Sequence, residues 1–208
     1  MSQKNFSVLP GMTGRKFRMS ENLSPGALAF KFRGGIWTLF FFVVLFLAEP
    51  GRISLFSGLL VVAVGQSIRF WAAGTIKRYR GEKVGAENLV TWGPYALARN
   101  PLYVGNGIIG AGWCLMSGSL SAFALFAMVF FMLYVMFVIP YEESFLKRAF
   151  PEDFAEYSSR VGRFFPKVFP GAESLVGHFD PGVLWKSERH SLWVTIVGTL
   201  LIISRRWW

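Results

Sequence analysis

Charge is scarce in this chain. Only 16% of its 208 residues are Asp, Glu, Lys or Arg, and acids are the scarcer kind, 12 against 22 bases. Histidine occurs twice, at His178 and His190, and cysteine once, at Cys114. A lone cysteine forms no intrachain disulfide. With no histidine or carboxylate near it in an apolar run, it is a packing residue rather than a metal ligand. Two histidines late in a Pro- and Gly-rich stretch offer no His-based catalytic constellation and read as polar loop residues. Residues 1–33 are not expected to act as a cleavable leader, because the first apolar stretch begins late and no small-residue cleavage site follows it. No internal repeat is evident.

Apolar and aromatic residues fill that space. Together A, V, I, L, M, F, W, Y and C make up 53% of the chain, with 22 phenylalanines and 8 tryptophans. Uncharged runs cover Gly34–Ala48, Ile53–Ile68, Pro101–Tyr141 and Ser191–Ser204. A membrane-spanning helix needs about 20 mostly apolar residues. The first two runs qualify once Arg33, Glu49, Arg52 and Arg69 snorkel toward headgroups. The third is long enough for two helices, turning at Ser117-Gly118-Ser119. The fourth is short: Trp193, Trp207 and Trp208 would anchor a span, but a helix lying in the interface fits nearly as well.

The net charge of +10 invites a nucleic-acid reading, which its distribution rejects. Lys and Arg number six before the first run, one at the first hairpin and five across Lys77–Arg99. None falls in the second hairpin and seven fall in Glu142–His190. This alternation follows the positive-inside rule and puts both ends of the first four helices in the cytoplasm. The expected class is all-α: a polytopic membrane helical bundle of four to five transmembrane helices with a cytoplasmic amphipathic helical segment. Residues 1–33 are a cytoplasmic or interfacial lead-in, 34–166 the membrane core, and 167–208 a loop and a possible fifth span. The expected address is the plasma or inner membrane. Membrane lipid is the expected surrounding; oligomeric state is open.

Along the core, helices are expected near 34–49 and 53–75, then from Pro101, where a missing N–H costs nothing, and from about Leu120, kinked or ended near Pro140. Trp92-Gly93-Pro94-Tyr95 is a turn. Pro151-Glu152-Asp153 opens a fresh helix with acids at its positive end. Its apolar stripe is Phe154, Tyr157 and Val161. In one straight helix Arg160 would lie roughly 27 Å from Glu142. A break at Pro151 lets it fold back. Arg163–His190 lacks periodicity and reads as a surface loop.

Three motifs remain. Gly105-Asn106-Gly107-Ile108-Ile109-Gly110 spells a dinucleotide fingerprint, but it opens a membrane helix instead of joining a strand to a helix. Small residues that let helices approach closely explain it. A second reading has a ligand lying on bare backbone at Gly105 and Gly107. Arg99-Asn100-Pro101-Leu102-Tyr103-Val104-Gly105 stands at one end of the third run, and the acidic pair Glu142-Glu143 at the other. Charges at membrane depth are costly unless paired or bound, so this pairing marks a site.

From Thr91 to Pro166 the chain resembles the isoprenylcysteine carboxyl methyltransferases and their phospholipid methyltransferase relatives. The Gly93-to-Gly105 stretch is similar to their Arg-His-Pro-x-Tyr-x-Gly signature. Glu142-Glu143, Phe150, Phe154, Tyr157, Arg160-Val161 and Pro166 resemble their C-terminal pattern. The resemblance implies methyl transfer from S-adenosylmethionine to a lipophilic acceptor drawn from the bilayer, at a cytoplasm-facing site. Carried over, the cofactor-binding candidates are Arg99, Asn100, Pro101, Tyr103, Gly105 and Gly107 on one wall and Glu142 and Glu143 on the other. Adjacent glutamates on a helix point about 100° apart and therefore meet different groups. Arg160 matches an arginine that orients an acceptor carboxylate, and Glu143 is the second catalytic candidate, as a base. Asn100 departs from the carboxyl methyltransferase histidine, since asparagine cannot titrate. A carboxylate acceptor is slightly favoured over a phospholipid amine, because it needs no deprotonation at neutral pH. A nicotinamide-dependent reductase of the sterol-reductase type and a non-catalytic membrane protein are the competing classes.

Overall fold

The computed structural model describes residues 24–76 and 88–207. Most of the expected lead-in (1–23), the basic stretch 77–87 and Trp208 lie outside them. Helix α1 spans Pro25–Phe46, starting well before the expected residue 34. Ser24 caps it by accepting from the Ala27 amide, and Pro25 sits where a proline is pre-organised for a helix. Its early charges do not stop it, because the Arg33 guanidinium lies 3.8 Å from the Phe30 ring centre. Helix α2, Arg52–Thr75, matches its expected range. A short α3, Pro94–Leu97, follows Gly93, whose φ of 62° suits glycine. Helix α4 runs Pro101–Ser117 and stops where expected: Gly118 takes the left-handed conformation (φ 66°) and Ser119 caps the next helix.

That next helix is continuous over Leu120–Ala149. It consists of α5 (Leu120–Phe130), a wide π turn (Phe131–Val138) and α6 (Ile139–Ala149). The expected kink or stop at Pro140 is absent. A proline ring there collides with the carbonyl four residues back in a regular α-helix. The π turn just before it carries an N–H···O bond from Ile139 to Tyr134, widening the backbone so that Pro140 is absorbed. The break at Pro151 is present: Phe150 leaves helical geometry and α7, Pro151–Arg160, folds back. Its Phe154, Tyr157 and Val161 form one buried cluster, and Tyr157 Oη donates to the Tyr95 carbonyl at 2.7 Å.

The expected loop 163–190 is only partly a loop. Asp180 caps the Gly182 and Val183 amides, so α8 starts at Pro181 and runs to Ser204. It runs along the bundle from one end to the other. The Asp180 amide bonds the Gly74 carbonyl at one end of the bundle, and Arg205 Nε reaches the Leu45 carbonyl (3.2 Å) at the other. Between them Ile202 packs with Leu45, Val62, Ile109 and Met116.

Helices α1, α2 and Leu120–Ala149 are each long and apolar enough to cross a membrane. Large apolar side chains face outward, among them Leu39 (70% exposed), Phe46 (79%) and Ile53 (86%). In water that exterior would be untenable; in lipid it is required. The chain is an all-α membrane bundle. At its centre α2 and α4 run antiparallel along a glycine seam. Gly58 and Gly65 face Gly112 and Gly105, and a Cβ on Gly65 would stand 2.9 Å from the Gly105 carbonyl oxygen.

Candidate functional site

Folding brings the two ends of the Pro101–Tyr141 run together. Asn100 and Pro101 start α4, and Glu142, in the first turn of α6, is followed directly by Glu143. Both glutamates are buried, 8% and 9% exposed. As their spacing requires, they take different partners. Glu142 Oε1 accepts from Tyr103 Oη at 2.8 Å. Glu143 Oε1 accepts from Arg99 Nε at 2.9 Å and Asn100 Nδ2 at 3.3 Å, while its Oε2 accepts from Arg163 Nε at 3.0 Å. Arg99 also donates through Nη1 to the carbonyls of Val161 (2.8 Å) and Ser158 (3.3 Å).

Backbone bonds hold this knot in register. The Arg99 amide donates to the Gly162 carbonyl (2.9 Å) and the Asn100 amide to that of Arg163 (3.2 Å). The strap after α7, closed by an antiparallel bridge between Val161 and Pro166, is thereby laid across the start of α4. Next to it Phe164 packs against the cluster of Phe30, Tyr103, Leu133 and Tyr134.

The remaining candidates are placed elsewhere. Arg160 does not meet the glutamates: it ends α7, more than half exposed, and pairs with Glu156 one turn earlier (3.1 Å). Arg163 holds the position beside Glu143 that Arg160 was expected to reach. Gly105 faces Arg69 and Gly65 on α2, and Gly107 faces the Phe130 ring. The fingerprint-like glycines are thus taken up by helix packing. His178 and His190 are exposed, the latter on α8 rather than in a loop.

A second polar cluster was missed. Arg69 does not snorkel; its Nε and Nη2 pair with both carboxylate oxygens of Glu188 on α8, each at 2.9 Å. Arg69 Nη1 also bonds Asn106 Oδ1. Asn106 Nδ2 donates to Tyr134 Oη at 3.2 Å, which also accepts from Trp37 Nε1 at 2.8 Å. Arg69 closes the uncharged run Ile53–Ile68, a place where a snorkelling arginine and a paired one have the same sequence signature.

Residues 53–153 match the phospholipid methyltransferase family. Over 188 residues the chain is 36% identical to the nickel-cobalt-cadmium resistance protein NccN of Alcaligenes xylosoxydans xylosoxydans, covering 83% of this chain and 84% of that one. It is 42% identical over 109 residues to the cobalt-zinc-cadmium resistance protein CzcN of Cupriavidus metallidurans, covering 51% of this chain and 46% of that protein. The chain therefore spans less than half the length of CzcN. No solved structure matches.

Proposed function

Because the chain belongs to the phospholipid methyltransferase family, we propose that it transfers a methyl group from S-adenosylmethionine to a lipophilic acceptor in the bilayer, at the end of the bundle that faces the cytoplasm. The observation that carries this reading is the meeting of Arg99, Asn100 and Tyr103 with Glu142 and Glu143 in one buried cluster. The donor carries an ammonium, a ribose diol and a carboxylate. Two buried carboxylates beside two guanidinium groups and an amide are the chemistry that holds such a molecule. When bound, it supplies an electrophilic methyl on a positively charged sulfur, which an oxygen or nitrogen lone pair attacks in line as the carbon–sulfur electrons return to sulfur.

The chain's own part is positioning. Glu142, aimed by the Tyr103 hydroxyl, is the acceptor for the ammonium or ribose hydroxyls. Glu143 holds Arg99 and Arg163 in place. Arg163, its side chain 40% exposed, suits an anionic acceptor group, and a guanidinium orients a carboxylate by its fork. A lipophilic carboxylate is accordingly the favoured acceptor, with a phospholipid amine as runner-up. The two relatives named for metal resistance suggest that the methylated product serves that trait.

Calorimetry on the detergent-purified protein tests the donor. Micromolar binding of S-adenosylmethionine but not NADPH is expected, weakened about tenfold or more by Glu142→Gln, on the scale of a lost charge-assisted bond. NADPH binding alone would overturn the reading in favour of a reductase. The two arginines separate as well: Arg163→Ala is expected to reduce turnover at least about tenfold, while Arg160→Ala leaves it unchanged. Radiolabelled methyl transfer then identifies the acceptor, because a methyl ester releases methanol in mild alkali and a methylated amine does not.

A further inference from the structure

The cluster running from Glu188 through Arg69 and Asn106 to Tyr134 and Trp37 lies outside the site just described and joins α8, α2, α4, the π turn and α1. Charges inside a membrane bundle are expensive even when paired. Holding α8 in place does not require them. Farther along the same helix, apolar packing at Ile202 and the close approach of Gly198 to the Trp113 ring already do so. Thr199 adds a neutral hydrogen bond from Trp113 Nε1 at 3.1 Å.

The ion pair does something that those contacts do not: it gives the network a direction. Glu188 grips two nitrogens of the Arg69 fork, with side-chain exposures of 5% and 13%. The third nitrogen is left pointing at Asn106 Oδ1. With its oxygen committed to a donor, the Asn106 amide can only turn its NH2 group toward Tyr134. Tyr134 Oη, gripped by Asn106 and Trp37 from two sides, fixes a ring whose centre lies 4.5 Å from that of Tyr103. Tyr103 Oη in turn donates to Glu142.

We infer that Glu188, Arg69 and Asn106 form a positioning relay, anchored in α8, that sets Tyr134 and through it the Tyr103–Glu142 pair for donor binding. The inference rests on the reading of Glu142 as a donor-binding carboxylate. It also gives α8, which lies beyond the family match at residues 53–153, a part in the site without touching it.

Two readouts test it, one of which needs no donor. Glu188→Gln and Asn106→Ala are compared with Thr199→Val, which removes a partly buried hydrogen bond of α8 that is off the relay. The first readout is the dissociation constant for S-adenosylmethionine. The second is the rate at which a hydrophobic carbodiimide modifies Glu142, mapped by peptide mass spectrometry alongside the thermal midpoint. Both relay variants are expected to raise each value about tenfold, the scale on which sub-ångström misplacement acts. Thr199→Val should lower the midpoint and leave both unchanged. If the relay variants also move only the midpoint, the cluster is a brace and the inference falls. If carbodiimide modification responds but wild type binds no donor, the relay stands and the proposed function falls.

Discussion

Glu143→Ala is expected to lower the unfolding free energy by about 3–5 kcal/mol, the usual consequence of removing one partner from a buried ion pair. One carboxylate serves Arg99, Asn100 and Arg163 together. The Arg99 side chain is only 11% exposed. Without Glu143 it keeps the carbonyls of Val161 and Ser158 but loses its charge partner, and water has little access to replace it. Arg163 is far more open and should tolerate the loss. The damage therefore concentrates where the strap after α7 meets the start of α4, because Arg99 joins both. Glu143→Gln keeps the shape and one acceptor oxygen, and should cost about 1–3 kcal/mol, as for a buried donor left unsatisfied. Unfolding by SDS in mixed micelles measures both. An alanine variant as stable as wild type would mean that water and lipid headgroups already screen the cluster.

Legibility in the sequence followed the reach of each signal. Pro101, Ser117-Gly118-Ser119 and Pro151 mark helix ends by local backbone chemistry, and the helices begin and end there. The meeting of the two ends of the Pro101–Tyr141 run was visible because a membrane hairpin brings them to the same face, whereas the direct bond between Arg99 and Glu143 was not. Arg160 does not reach the glutamates, for a local reason. It ends α7 within reach of Glu156, one turn back, whereas Arg163 lies within the turn closed by Val161 and Pro166. Which arginine reaches Glu143 depends on that turn, and helical periodicity says nothing about it.

Arg69 failed for a long-range reason. Its partner Glu188 is 119 residues away, on a stretch whose helix is announced only by the Asp180-Pro181 cap. A charge near the end of a hydrophobic run looks the same in sequence whether it snorkels or pairs. The glycines were half legible. Gly58 and Gly65 are seven apart, as are Gly105 and Gly112, and that spacing keeps both members of a pair near one helix face. A single helix shows a small-residue stripe; only the facing stripe shows what it is for.

That seam should make substitutions of the same residue type differ in sign. Gly65→Leu is expected to be severely destabilising, at or beyond the about 1–3 kcal/mol typical of overpacking. A Cβ at position 65 would already stand 2.8 Å from the Ile109 amide nitrogen and 2.9 Å from the Gly105 oxygen. These are backbone atoms of a packed helix, so no side chain can swing aside. The helices must separate, and one turn beyond Gly65 lies Arg69, whose bond to Asn106 crosses the same seam. Gly112→Ala meets the mirror-image obstacle, with Val62 N at 2.8 Å and Gly58 O at 3.0 Å, and should destabilise by a smaller amount. Gly35 on α1 is the contrast, because a Cβ there meets nothing within 4 Å. Gly35→Ala is expected to stabilise by about 0.5–1 kcal/mol through helix propensity alone. SDS unfolding of the three variants checks the order. Equal, small effects at all three positions would mean that α2 and α4 do not approach at their glycines, and the seam that sets Arg69 against Asn106 would have to be abandoned.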